Sequence, residues 1–306
     1  VFRAGAAVVD ITPAKFPISS NGSMKDRLAP RAHDPLSARC LVLDDGRMRI
    51  AIAVCDSCMI PRDLLDEAKE RASRKTGIPV NRMLMSATHT HTGVTVAGVL
   101  QSEPDIEYRA FLIDRIAAGI EQANEALAPA RVGWGSGRDP SQVFNRRWYM
   151  QPGTPMTDPF GNSTDTVRMN PPRGSDALDR PAGPIDPEIG LLSLQSPDGR
   201  PIAMLANYSL HYVGGVPGDA LSADYFGAFA DRMSQVLGAT EGRPRFVGIM
   251  SNGTSGNINN IDFTVKSAPA REPFEPIQVV AASVGAASSR NSNSMSAMLS
   301  NSTAFS

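Results

Sequence analysis

The sequence predicts an α/β protein in which a mixed β-sheet, or two such sheets, is covered by helices in an αββα-like sandwich. Two hairpin patterns turn at Asp45-Gly46 and Asp198-Gly199, and strand–helix patterns follow each of them. Hairpins produce antiparallel neighbours and strand–helix alternation produces parallel ones, so the combination favours mixed sheets. An apolar fraction of 42% suits a globular protein with a sizeable core.

In the first half of the chain, apolar runs and their boundary residues define the elements. Asp45-Gly46 supplies the positive φ that a tight hairpin turn needs. Pro61 suits the start of a helix, and Gly77 suits the residue just beyond its end. The predicted strands are 6–11, 39–43, 48–54 and 80–86, and the predicted helices are 61–75 and 104–127.

The second half of the chain repeats these signals around one unusual segment. Residues 150–187 contain eight prolines and almost no aliphatic residues. They predict a long surface excursion, which is either a lid or substrate-binding wall or a disordered insertion. The predicted strands are 130–135, 142–149, 188–195, 201–208 and 246–250, and the predicted helices are 225–237 and 273–282.

The end of the chain departs from this pattern. Residues 283–306 contain nine serines and a single charged residue, Arg290, and show neither helical nor strand periodicity. We therefore expect one domain over 1–282, followed by an irregular tail over 283–306 that is either non-native or disordered.

Composition and charge exclude several classes of function. The net charge of −1 and the absence of a Lys/Arg stripe argue against a nucleic-acid partner. No apolar run approaches the length of a transmembrane helix. Three cysteines are too few for a disulfide framework and do not fix the compartment. Because the chain begins at Val1, a removed signal peptide and a trimmed fragment both remain open.

Two of the four histidines, His89 and His91, stand in a Thr-His-Thr-His-Thr-Gly run directly after the predicted strand 80–86. In an extended segment, residues two apart lie on the same face. Imidazole is the commonest metal ligand and the usual general acid or base near neutral pH. The pair predicts a functional site at the carboxyl end of a strand, with a purely structural strand end as the alternative.

Three further segments carry candidate chemistry. Cys55-Asp56-Ser57-Cys58 follows a strand, as in a dithiol redox site, but two buried small hydrophobic residues are the favoured interpretation. His211 follows the predicted strand 201–208, so that a second strand end offers imidazole. The Gly/Asn/Ser loop 251–259 follows strand 246–250 and places Ser255 where it would act as a nucleophile or hydrogen-bond donor.

Together these motifs resemble the N-terminal catalytic domain of the neutral/alkaline, non-lysosomal ceramidases, over nearly the whole chain to about residue 261. The Thr-His-Thr-His-Thr-Gly run is similar to the most specific motif of that family, Thr-His-Thr-His-Ser-Gly. The other matching positions are the opening segment 5–12, His33 followed by Ala38-Arg39, Asp56, Asn145-Arg146, His211, and Ser255 with Gly256-Asn257.

The chain also departs from the family pattern. Gly256 replaces the proline of the serine loop, and Gly93 is not followed by Pro-Gly-Gly. The remaining zinc ligands of the family, a Glu and a Tyr, belong to a more C-terminal region that has no match between Phe263 and Ser306. The sequence therefore resembles a distant member of this family that lacks the C-terminal part, and we expect residues 1–282 to form the catalytic-type domain.

The resemblance implies a Zn²⁺-dependent hydrolase of a linear amide in a small amphipathic lipid resembling N-acylsphingosine. It implies His89 and His211 as zinc ligands. His91 would carry a proton to the leaving amine, Arg146 would hold the oxyanion or a headgroup, and Ser255 would attack or position the carbonyl. His33 is expected in the same cleft. Association with a membrane surface and a secreted or periplasmic location are further expectations.

Two alternatives remain open. A catalytically incomplete homologue would serve as a lipid- or ligand-binding domain, since two histidines alone hold zinc weakly. A metal-free serine hydrolase would use Ser255 without zinc. The zinc hypothesis predicts that ring nitrogens of His89 and His211 lie about 3–4 Å apart. It also predicts that His33, His91, Arg146 and Ser255 line one cleft, with 150–187 as part of its wall.

Overall fold

The computed structural model describes residues 1–217, 219–239, 245–267 and 270–301, with side chains described as far as residue 290. The helices are α1 Arg62–Thr76, α2 Ile106–Glu125, α3 Asp224–Val236 and α4 Glu275–Asn301. The strands are β1 Arg3–Asp10, β2 Ile18–Ser20, β3 Arg27–Ala29, β4 Ser37–Asp44, β5 Arg49–Cys55, β6 Met83–Ala87, β7 Ala128–Pro129, β8 Arg131–Arg138, β9 Phe144–Asn145, β10 Arg147–Met150, β11 Val167–Met169, β12 Leu178–Pro181, β13 Glu188–Gln195, β14 Pro201–Tyr208, β15 Val247–Asn252 and β16 Ile258–Asn259.

Two mixed sheets form the centre of the fold. The first has the strand order β6-β5-β4-β1-β7, and the second has the order β15-β14-β13-β8. Each contains one predicted hairpin, β4–β5 or β13–β14, and each adds one parallel strand beside it, β6 or β15. The carboxyl ends of the parallel pairs therefore lie at one edge of each sheet, where side chains of the following loops can meet.

The apolar residues divide into layers that correspond to the predicted sandwich. One cluster joins the first sheet to α1 and α2, and a second joins the other sheet to α3 and α4. A third cluster includes Leu41 and Val54 of the first sheet and Leu194 and Ile249 of the second, so the two sheets pack face to face. The prediction of an αββα-like α/β fold is confirmed.

The element boundaries follow local signals. The carboxylate of Asp105 accepts a hydrogen bond from the Tyr108 amide (2.7 Å) and caps the start of α2. Gly77 ends α1 in the left-handed conformation, with φ of 70°. The predicted strand 80–86 is shorter than expected, because Val80–Arg82 form a 3₁₀ turn before β6.

The prediction of an irregular tail over 283–306 is wrong as far as Asn301. Helix α4 continues through this stretch and buries Val284, Ala287 and Ser288 on the same face as Val280. These positions repeat at the helical spacing of three and four residues, but small side chains hide the pattern. The Ser288 hydroxyl bonds back to the Val284 carbonyl (2.8 Å), which lets serine remain within the helix. Residues 302–306 lie outside the described residues.

The segment 150–187 is more ordered than a single loop. Strands β11 and β12 lie on either side of β10 and form a three-stranded sheet. Few of its own residues are apolar, and Met156, Ala177 and Leu178 pack against Trp148 and Phe263 from outside the segment. The predicted strand 142–149 is divided into β9 and β10, with Arg146 at the break.

No helix among the described residues is long and apolar enough to cross a membrane.

Candidate metal centre

Three of the four histidines converge where the two sheets meet. The Nε2 atom of His91 lies 3.2 Å from Nε2 of His89 and 3.1 Å from Nε2 of His211. The rings of His89 and His211 have centroids 4.6 Å apart. The first sheet supplies His89 and His91 through the loop after β6, and the second supplies His211 just after β14. The sequence predicted the convergence of His89 and His211.

The loop after β6 positions its histidines in an unexpected way. His89 is not extended but has a left-handed backbone with φ of 71°, which is costly for a residue with a Cβ. The hydroxyls of Thr90 and Thr92 both donate to the Ser222 carbonyl (2.8 and 3.1 Å) and anchor the loop on its inner side. The prediction that an extended i, i+2 spacing places the pair on one face is therefore wrong, although both rings reach the same point.

A backbone contact fixes the tautomer of His89. Its Nδ1 lies 2.6 Å from the carbonyl oxygen of Cys58, which can only accept, so Nδ1 carries the proton. With the proton on Nδ1, the Nε2 of His89 is the atom that faces Nε2 of His91, at 3.2 Å. A carbonyl that orients an imidazole from behind is the usual arrangement around a metal-ligating histidine.

His211 is buried, and one of its two ring nitrogens lacks a hydrogen-bond partner among the described residues. That nitrogen is Nδ1, and only 5% of the residue is exposed. The amide of Asn252 donates to the carbonyls of Thr88 (3.0 Å) and His211 (3.5 Å), so β15 connects the two histidine-bearing segments. Asn252 thereby bridges the two sheets beside the histidine-bearing segments.

Burial keeps His91 and His211 neutral. Assisted by the neighbouring rings, it lowers the pKa of His91 to about 3 and the pKa of His211 to about 4. A neutral imidazole carries one N–H and one lone pair, so neighbouring rings can share an N–H···N hydrogen bond, and a ring protonated on Nδ1 presents Nε2 as a metal donor.

Cys58 lies on the far side of His89. Its Sγ is 3.8 Å from the Nδ1 atom of His89, and the donor atoms of Cys58, His89 and His91 all lie within 4.8 Å of one another. Burial raises the pKa of the Cys58 thiol to about 11 and that of Cys40 to about 12. The three cysteines, including Cys55, are all free and buried, as the interpretation of Cys55 and Cys58 as small hydrophobic residues predicted.

This donor set fits zinc. The distances from Nε2 of His91 to Nε2 of His89 and of His211, 3.2 and 3.1 Å, correspond to those between adjacent ligands of a tetrahedral ion. The predicted ligands are His89 and His211, with His91 outside the coordination shell. In the structure, Nε2 of His91 is as close to the other two as a third ligand would be, so His91 is not set apart from them.

Arg146 connects the histidines to the serine loop. Its Nε and Nη2 atoms both donate to the carbonyl of Gly256 (2.9 and 2.6 Å). Burial lowers the pKa of Arg146, and the nearby phenol of Tyr212 acts in the opposite direction. The positive charge of Arg146 in turn adds to the lowering of the pKa values of His91 and His211, after burial and the neighbouring rings.

Ser255 is the residue before the carbonyl that Arg146 binds. Only 7% of it is exposed, and its backbone is fixed by bonds from its own amide to Gly253 and from Ile258 to its carbonyl. Within the described part of the chain, no hydrogen bond joins its hydroxyl to a histidine. The predicted loop is thus next to the site, whereas a serine–histidine pair is not formed.

His33 does not join the other histidines. Its ring stacks on Phe274 with centroids 3.4 Å apart. It lines a cavity of about 240 Å³ together with Asp34, Arg39 and Asp224, and none of the three clustered histidines belongs to the lining. The prediction that His33 shares their cleft is therefore wrong. The amide of His33 donates to the carbonyl of Leu221 (2.8 Å), whose neighbour Ser222 accepts the hydrogen bonds of Thr90 and Thr92.

Sequence reasoning did not single out Tyr212 or Asn252. The ring of Tyr212 stacks on His91 with centroids 3.8 Å apart and an interplanar angle of 12°. Its position directly after His211 was the available signal. Asn252, within the loop 251–259, contacts both histidine-bearing segments rather than the serine.

Fold and site together define an αββα protein with a histidine-lined candidate metal centre between its sheets. Two solved structures share this architecture at a TM-score of 0.72: neutral ceramidase from Pseudomonas aeruginosa, 20% identical over 94% of this chain, and a ceramidase complexed with C2, 19% identical over 94%. The chain spans 44% and 43% of their lengths. No family model matches the sequence. The fold of this chain is that of the neutral ceramidases, and the resemblance found in the sequence is confirmed at that level.

Proposed function

We propose that this chain is the metal-binding part of a zinc-dependent amide hydrolase that acts on an N-acylsphingosine-like lipid. The observation that carries the proposal is the convergence of three imidazole Nε2 atoms within a fold shared with ceramidases. The convergence brings three potential nitrogen ligands to one point, and it leaves Nδ1 of the buried His211 without a hydrogen-bond partner among the described residues.

His89, His91 and His211 would hold the zinc ion. Bound there, zinc would act as a Lewis acid toward an amide carbonyl and would lower the pKa of a water molecule. The His89 Nδ1–Cys58 carbonyl bond keeps the donor nitrogen of His89 aimed at the centre.

The remaining residues would stabilise charge and position the substrate. Arg146, whose guanidinium is held on the carbonyl of Gly256, would stabilise negative charge on the carbonyl oxygen of the substrate through its other N–H groups. With its Nε2 bound to zinc, His91 would not carry the proton to the leaving amine as the resemblance implied. Ser255 would position the carbonyl, since its hydroxyl has no hydrogen bond to a histidine among the described residues.

A second candidate is zinc or lipid binding without turnover. It is favoured by the fraction of the ceramidases that the chain spans, 44% and 43%, because hydrolysis would then need residues from outside that fraction. Among the described residues, the donors present are the three imidazoles and the thiol of Cys58. Imidazoles alone suffice to bind zinc, while turnover needs more.

Zinc binding separates both candidates from a metal-free serine hydrolase. We expect the purified chain to bind one equivalent of zinc, measured by elemental analysis and by competition with a chelating dye. His89→Ala and His211→Ala should each weaken zinc binding at least 10–100-fold. His33→Ala is the matched control, since His33 stacks on Phe274 instead, and should retain the wild-type affinity. Zinc binding that survives both cluster substitutions would refute the proposed centre.

Hydrolysis then distinguishes the two zinc-binding candidates. The zinc-loaded chain is incubated with a fluorescent N-acylsphingosine in detergent micelles, and release of the fatty acid is followed. Turnover that is lost in His211→Ala and in Arg146→Ala supports the hydrolase. Stoichiometric zinc with micelle binding but no release of fatty acid supports the binding domain. Membrane-surface association and the secreted or periplasmic location stay predictions.

A further inference from the structure

Tyr212 packs against two of the three clustered imidazoles. Its ring lies flat on His91, with centroids 3.8 Å apart, and edge-on to His211, with centroids 5.2 Å apart and an angle of 83°. A single aromatic side chain thus contacts both histidine-bearing segments of the centre.

The backbone holds this ring in place. The amides of Val213 and Gly214 donate to the carboxylate of Asp224 (3.0 and 2.8 Å), which fixes the turn directly after Tyr212. Gly214 has φ of 74°, and a Cβ there would lie 3.4 Å from the Tyr212 ring. The turn therefore passes close to one edge of the Tyr212 ring.

His91 needs such support on its ring. Its backbone is held by Arg27, which donates to its carbonyl (2.7 Å), and by the close approach of Gly22. The imidazole hydrogen-bonds to the backbone of Gly22, and its Nε2 lies 3.2 and 3.1 Å from the Nε2 atoms of His89 and His211. A flat aromatic stack is favourable and restricts rotation of the ring about its side-chain bonds.

We infer that Tyr212 is a positioning residue that holds the His91 imidazole with Nε2 aimed at His89 and His211. The inference rests on the proposed function, because it concerns the same centre. The ring of Tyr212, rather than its hydroxyl, performs this role, since the contact is face to face and no hydrogen bond from the phenol is described.

Tyr212→Phe and Tyr212→Ala test the inference through zinc affinity and the absorption of bound Co²⁺. Tyr212→Phe keeps the stack and should bind zinc within about twofold of the wild type. Tyr212→Ala removes it and should weaken binding 10–100-fold, the usual loss when support around a metal ligand is removed. Tyr149→Ala, which removes a ring that stacks beneath Arg180 outside this centre, is the control and should change nothing.

A metal-free measurement keeps the test independent of zinc. In the NMR spectrum of the metal-free chain, the ring protons of His91 should be shifted upfield by the stacked phenol, in the wild type and in Tyr212→Phe. The shift should vanish in Tyr212→Ala, with His91→Ala providing the assignment.

The outcomes separate the two hypotheses. Unchanged ring shifts and zinc affinity in Tyr212→Ala would overturn the positioning role and leave the proposed function standing. Equal losses in Tyr212→Phe and Tyr212→Ala would overturn it in favour of the hydroxyl. Absence of zinc binding in the wild type, together with the expected ring shifts, would refute the proposed function and retain the stacking role.

Discussion

At the scale of single residues, the centre depends on backbone positions that only certain residues tolerate. His89 adopts a left-handed conformation, and Gly22 approaches His91 so closely that a Cβ there would lie 2.5 Å from its Cα. Strained positions of this kind persist where the surrounding structure over-determines them. The cost of the strain is concentrated at the loop that carries the imidazoles.

Substitution of Gly22 by Ala should therefore be more costly than the same change elsewhere. Gly22→Ala introduces both an unfavourable backbone (φ of 109°) and an overlap with His91, and should lower the free energy of unfolding by about 2–5 kcal/mol. Gly46→Ala is the control, since Gly46 has φ of 89° but open space, and should lose about 1–2 kcal/mol. Urea unfolding of both variants measures the difference, and equal losses would show that the approach to His91 is unimportant.

Asp224 should make stability depend on pH. Burial raises the pKa of its carboxyl to about 6 in the folded protein, against about 3.9 in the unfolded chain. The folded state then holds the proton more tightly, so the contribution of Asp224 to stability is full below pH 4 and falls as pH rises to 6, by up to about 3 kcal/mol.

The difference in unfolding free energy between wild type and Asp224→Asn, followed from pH 3.5 to 7.5, isolates this contribution. We expect wild type to lose stability relative to the variant between pH 4 and 6, with little further change above that range. A constant difference would mean that Asp224 titrates normally.

At the scale of elements, the helices and strands with clear apolar periodicity were predictable. Elements built from small side chains, or packed against residues far away in the sequence, were not. Strands β13 and β14 and helix α1 follow directly from alternation, turn residues and caps. The predicted helix 273–282 ends before α4 does, because Ala, Ser and Gly give a weak periodic signal, although α4 packs closely against α3. The small sheet around β10 was missed because its core comes from distant residues such as Phe263.

The continuation of α4 can be tested where the sequence predicted irregular structure. Val284 is fully buried, so Val284→Ser should lower the free energy of unfolding by about 2 kcal/mol. Ala286→Ser lies on the exposed side of the same turn and should change stability by no more than about 0.5 kcal/mol. Thermal unfolding of the two variants decides the matter, because an irregular segment would make both substitutions equally harmless.

At the scale of the whole molecule, the two sheet layers are joined by the apolar cluster between them. Ile249 is fully buried there, so Ile249→Ala should destabilise the protein by about 2–5 kcal/mol. Leu84→Ala is the control, since Leu84 is 63% exposed on β6. Ile249→Ala should destabilise both sheet layers, because each layer loses contacts of the shared cluster.

Two sets of natural probes distinguish the layers. Cys40 and Cys55 lie in the first sheet, whereas Trp134 lies in the second and Trp148 in the small sheet. In urea, we expect Ile249→Ala to shift thiol exposure and tryptophan fluorescence to lower concentrations together. A shift of the fluorescence alone would mean that the layers unfold independently.

The site shows the same division between predictable and unpredictable features as the fold. Strand ends are visible in sequence, so the meeting of His89 and His211 could be predicted from two separate loops. The separate location of His33 could not be, because it depends on a stack with Phe274, 241 positions away in the numbering, rather than on any local signal. The contact between Tyr212 and His91 likewise arises only when the two sheets face each other.

The meeting of His91 and His211 also has a consequence for the stability of the fold. The two residues are 120 positions apart, and the three cysteines of the protein are all free. An ion held by both imidazoles would bind the folded chain, because the two rings come together only when the sheets are packed. By mass action, free ion at about 100 times its Kd would stabilise the folded state by about 2.7 kcal/mol. The centre would thus join two distant stretches of a polypeptide that has no disulfide between them.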